Sequence, residues 1–129
     1  MIERVNPAGL PAPRGFAHAV VGTGTTVFLA GQTALDADGR IVGVGVVAQF
    51  EVALTNLLTS LRAAGGTPQN LASVTVYAVD LADYRAHSRE IGEVWRRLAG
   101  RDYPAMAAVG VARLWDDEAV IELQGCAVL

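Results

Sequence analysis

No lysine occurs anywhere in the chain. All ten basic residues are arginines, scattered among 13 acidic ones, and the formal net charge is −3. Without a basic patch or stripe there is no footprint for a nucleic-acid backbone. The single cysteine, Cys126, excludes an internal disulfide. Its apolar C-terminal surroundings read as those of a buried, inert thiol. No apolar run reaches the roughly 18 residues that a membrane span needs. The opening "MIERVNPAGLPAPRGF" has no apolar core of signal-peptide type. The chain is therefore expected in the cytoplasm, away from membranes. No spacing of His, Cys or Asp suggests a metal. Gly22, Gly24, Gly43 and Gly45 are not followed by GKS/T or set in a GxGxxG that leads a strand into a helix, so a nucleotide loop is excluded. Aromatics are scarce at 6%, so the 52% hydrophobic content rests mainly on Ala, Val and Leu. Such residues pack tightly in sheets, and their surplus points to burial between copies of the chain.

What is present reads as one domain over residues 1–129. "IERVNP" suits a short first strand. "AHAVV" and "TVFLAG" read as two strands of a hairpin turned by "GTGT". From Val47 the period becomes helical: Val47, Phe50, Leu54, Leu57, Leu58 and Leu61 share a stripe that "AGG" at 64–66 stops. "SVTVYAV" is a strand. Asp80 then caps a second helix striped by Tyr84, Ile91, Val94, Trp95 and Leu98 and ending near Gly100. Strands at about 105–113 and 119–128 close the chain, joined through "LWDDE". The expected class is α+β, one mixed sheet with two helices on one face.

Alternation along the last two strands predicts what the other face holds. If they pair with each other, Val109, Val111, Ile121 and Leu123 face the helices. Met106, Ala108, Glu122 and Cys126 then share a small, partly apolar face, which another copy of the chain would cover.

The order of "NPAGLPAPRGFAHAV", "VFLAGQ", "NLLTSLRAAGG", "SVTVYAVDLADY", "YPAMAAVGVARL" and "VIELQGCAV" resembles the YjgF/RidA family of reactive intermediate deaminases over nearly the whole length. The resemblance implies a chorismate-mutase-like fold and a homotrimer with a central barrel, with small-molecule clefts between subunits. It also implies hydrolysis of 2-imino and 2-enamino acids without metal or cofactor. In that family an arginine after "PA" grips the substrate carboxylate and a glutamate in the last strand positions water. A tyrosine, a serine, a glycine and an asparagine complete the pocket. Carried across, the glutamate matches Glu122 and the glycine Gly31. The arginine position holds Met106, the tyrosine position Ala17, the serine position Ala30 and the asparagine position Ser88. The small or thiol residue two after the arginine is Ala108.

Arginine offers a fork matched to a carboxylate, whereas methionine offers a thioether and no donor. Losing one partner of a buried ion pair costs roughly 3–5 kcal/mol, about a hundred-fold to a few thousand-fold in affinity. The chain is thus expected to be a poor deaminase of ordinary 2-imino acids. Arg14, just upstream of Ala17, is the candidate for a substitute cation, against a reading as a solvated loop arginine. Glu122 is either a general acid–base that orders water or a structural residue paired across an interface. His18 reads as packing, His87 as exposed, and "WDDE" as a solvated turn, with Trp115 the alternative lid at a cleft mouth. A divergent imine or enamine hydrolase and a non-catalytic metabolite-binding trimer both fit. The nuclease activity sometimes attributed to the family is disfavoured by the acidic balance and the missing lysines.

Overall fold

The computed structural model describes all residues, 1–129. Its elements in chain order are β1 (Ile2–Val5), β2 (Ala19–Gly22), β3 (Thr26–Gln32) and α1 (Val46–Ala63). A 3₁₀ turn (Pro68–Asn70) leads into β4 (Leu71–Ala78), followed by α2 (Leu81–Ala86), α3 (Ser88–Ala99), β5 (Ala105–Gly110) and β6 (Ile121–Val128). No helix is long and apolar enough to cross a membrane.

The apolar stripe of α1 folds as its spacing predicts. Phe50, Leu54, Leu57, Leu58 and Leu61 are fully buried, against Leu71, Val74, Val76, Ile121 and Leu123 of the sheet and Ile91, Val94 and Trp95 of α3. The "AGG" stop closes as a Schellman motif. The Gly66 N–H donates to the Leu61 carbonyl and the Gly65 N–H to that of Arg62, with Gly65 at φ +94°. The expected second helix is two. Asp80 caps α2 by accepting from the Asp83 N–H at 3.0 Å. His87 then leaves helical geometry (φ −106°, ψ 18°) before α3 begins.

Strand order differs most from expectation. β1 pairs with β2 in a separate two-stranded ribbon, and β3 pairs with β6, so β2 and β3 form no hairpin. The main sheet runs β3-β6-β4-β5, with β5 parallel to β4 and the other pairs antiparallel. Strands β5 and β6 do not pair, because β4 lies between them. That overturns the shared face inferred for Met106 and Glu122. Partners directly across a ladder point to one side. Met106 sits opposite Val74, and Ala108 opposite Val76, on the helix side. Glu122 sits opposite Tyr77, on the side the helices leave bare. With Tyr77 there lie Ser73, Thr75, Gln124, Cys126 and Phe28. Phe28 is 84% exposed.

Candidate functional site

The chemistry-bearing residues fall into two groups on opposite faces of the sheet. The first surrounds Met106 at the outer edge of β5. Ala17 continues that edge by a parallel bridge to Ala105, its N–H donating to the Pro104 carbonyl at 2.9 Å. The preceding loop is pinned by His18. Its Nε2 lies 2.8 Å from the Pro11 carbonyl, its backbone N–H donates to Asn6, and its ring meets Phe16 edge-on at 5.0 Å. This holds Arg14 and Phe16 beside Met106. A cavity of about 220 Å³ is lined there by Arg14, Phe16, Val76, Tyr84, Met106 and Ala108.

An adjoining cavity of about 480 Å³ runs from Met106 toward α3, past Tyr84 and Ser88 to Trp95 and Tyr103. So Arg14, Ser88, Met106 and Ala108 come together. Ala17 does not join them: it is buried at 3% exposure and outside both cavities. Its neighbour Phe16 lines the smaller cavity. Burial pushes the Tyr84 phenol above its usual 10.0, which keeps its O–H protonated as a donor. Arg4 fixes the approach to β5 by donating to the carbonyls of Tyr103 (2.8 Å), Asp102 (2.9 Å) and Gln69 (3.1 Å). The Trp95 indole N–H is buried without an acceptor, a state that costs about 1–3 kcal/mol. None of Phe16, Tyr84, Trp95 or Tyr103 was singled out as a site residue from sequence. Trp95 and Tyr84 were visible there only as an apolar stripe.

The second group surrounds Glu122 on the bare face. Leu29 pairs with Gly125 and Gln32 with Leu123, so Ala30 and Gly31 together oppose Gln124. This β-bulge brings the backbone of Gly31 against Glu122. A Cβ at residue 31 would lie 2.8 Å from Glu122 Oε2 and 2.9 Å from its Cδ, so any larger residue would displace the carboxylate from this position. Glu122 is half-buried, and no arginine or histidine lies within ion-pairing distance of it in the chain. Beside it the Tyr77 hydroxyl and Gln124 Oε1 are hydrogen-bonded at 3.1 Å. The group of Ala30, Gly31 and Glu122 and the group of Arg14, Ser88, Met106 and Ala108 lie on opposite sides of the sheet and do not meet within one chain. Trp115, 94% exposed, lines neither cavity, and Arg113 lines a separate one with Val79 and Val120.

Residues 8–129 match the family model described as Endoribonuclease L-PSP. A 2-iminobutanoate/2-iminopropanoate deaminase of Capra hircus is 33% identical over 111 residues, covering 85% of this chain and 78% of that protein. A RutC family protein of Pyrococcus horikoshii is 32% identical over 128 residues, 98% of each. Among solved structures, a conserved Rid family protein of unknown function from Yersinia pestis superimposes with a TM-score of 0.87 at 34% identity, covering 99% of this chain and 98% of that one. E. coli TdcF with bound serine gives 0.72 at 27% identity, covering 92% and 91%.

Proposed function

The chain belongs to the YjgF/RidA family, whose model is described as Endoribonuclease L-PSP, and on that premise we propose that it is a divergent imine or enamine hydrolase working in clefts between copies of itself. The observation that carries the reading is the separation of the two half-sites. Glu122, free of any cation and seated on Gly31, lies on a bare face. The Met106 half-site lies at the far edge of the same sheet and faces the other way. A cleft holding both needs Glu122 from one copy and Met106 from the next. A closed trimer supplies three such clefts and covers Phe28 with its neighbours' bare faces.

In that cleft Glu122 accepts a hydrogen bond from a water molecule and takes its proton as the oxygen attacks the C=N carbon. The π electrons of the bond move to nitrogen. The protonated Glu122 returns that proton to nitrogen, giving an amino alcohol. Glu122 next takes the hydroxyl proton and passes it to nitrogen. The O–H electron pair forms the C=O bond as the C–N pair leaves with nitrogen, and a carbonyl and ammonia or an amine depart. The chain's own residues suffice for these proton transfers. Similarity to a 2-iminobutanoate/2-iminopropanoate deaminase supports this chemistry, but Met106 offers such substrates no carboxylate anchor. The substrate is therefore an imine or enamine without a carboxylate on the reacting carbon.

Freshly generated imines, with and without an α-carboxylate, would be presented to the wild type, Glu122→Ala and Met106→Arg. Turnover of the uncharged imines by the wild type and none by Glu122→Ala are expected, with 2-iminobutanoate hydrolysed only after Met106→Arg. Unchanged ligand binding with no turnover in any of the three would favour a metabolite-binding trimer instead.

A further inference from the structure

The 480 Å³ cavity behind Met106 carries a charge pattern opposite to that of the whole molecule. The chain bears a net −3, yet the charged residues lining this cavity are Arg14, Arg89 and Arg96, with no carboxylate among them. Arg89 approaches Glu93 at 3.8 Å, while Arg14 and Arg96 have no carboxylate within 4.0 Å. Arg96 lies over Gly92, where a Cβ would meet its Nη1 at 3.2 Å. The floor is apolar and aromatic. Trp95 and Tyr103 stack at 6.2 Å with 26° between their planes, and Phe50 and Met106 complete it. Cavities of about 300–1,000 Å³ have room for drug-sized ligands. The cavity wall also includes Trp95, whose buried indole N–H has no acceptor in the chain.

We propose that this cavity binds a ligand with an aromatic or extended apolar body and an anionic group remote from any reacting carbon, the body lying over Trp95 and Tyr103 and the anion caught by Arg14 and Arg96 at the rim. The proposal rests on the cleft reading only in placing Met106 where the ligand passes from cavity to cleft. It explains how a chain without the expected arginine can still hold an acid: the cation has moved to the loop and to α3, so the anion sits farther from Glu122. Guanidinium groups around an aromatic floor favour this combination of charge and ring.

The test is calorimetric titration of the purified wild type with 1-naphthaleneacetate, its uncharged amide and acetate. The acid should bind about ten-fold or more tighter than the amide, and acetate should not bind measurably. Arg14→Ala/Arg96→Ala should lower the acid to the amide's affinity and leave the amide unchanged, which also shows that the fold is intact. Glu122→Ala should bind the acid as the wild type does, so a failure of the hydrolase reading leaves this result standing. Equal affinity for acid and amide, a preference that survives in the double variant, or no binding of either would overturn the proposal.

Discussion

Gly31 and Glu122 make a close contact that is local enough to test with one methyl group. Gly31→Ala would place a Cβ 2.8 Å from Glu122 Oε2 and displace the carboxylate. A displacement of about 1 Å costs on the order of a hundred-fold in rate. In the Met106→Arg background, hydrolysis of 2-iminobutanoate should fall by that order while the thermal midpoint stays close. A second local constraint lies at Gln49, a buried side chain of α1. Its amide donates to the carbonyls of Gly43 and Glu118, and its oxygen accepts the Val120 N–H at 2.9 Å. Gln49→Leu strands these groups and should lower stability by about 1–3 kcal/mol in urea unfolding. The apolar stripe read from the sequence does not include Gln49, and its spacing says nothing about a polar clip to two distant loops. Likewise "GFAHAV" shows that a strand edge begins, yet residue type alone does not tell Phe16 from Ala17 as the cavity wall.

At the scale of elements, His87 at the joint between α2 and α3 is the group with a clear pH signature. The Asp83 carbonyl, 2.9 Å from its Nδ1, raises its pKa above 6.5. Partial burial opposes this, and the nearby Asp83 and Glu90 charges add to it. Because the folded value is the higher one, the stabilisation is fully present below about 6.5 and is lost as pH rises through the raised value. An NMR titration should find His87 titrating above 6.5; a value at or below it contradicts the geometry. Most elements were legible in the sequence because a stripe at helical spacing and an "AGG" stop are local signals. Strand partners were not. The step from alternation to a shared face needs to know which strands are neighbours. With β4 inserted between β5 and β6, Val76 pairs with Ala108 on one side and Leu123 on the other, and odd and even positions exchange roles. For the same reason the candidate residues could be named from sequence, whereas their division into two half-sites could not.

The whole molecule leaves one sheet face open, with Phe28 84% exposed on it beside Glu122, Gln124 and Cys126. An apolar side chain on an edge strand of an uncovered face invites a second chain. Phe28→Glu should therefore shift sedimentation from oligomer toward monomer, with the two-state unfolding of the monomer retained. On the proposed reading assembly and activity are one question, because each half-site would need the other from a second copy. The most direct measurement mixes chains. Wild type lacks the arginine, and Met106→Arg/Glu122→Ala lacks the glutamate, so neither homo-oligomer should hydrolyse 2-iminobutanoate, while Met106→Arg alone should. Co-expressed wild type and double variant should recover a substantial fraction of the Met106→Arg rate, since hybrid clefts join Glu122 of one chain to the introduced arginine of another. An inactive mixture alongside an active Met106→Arg oligomer would contradict the account.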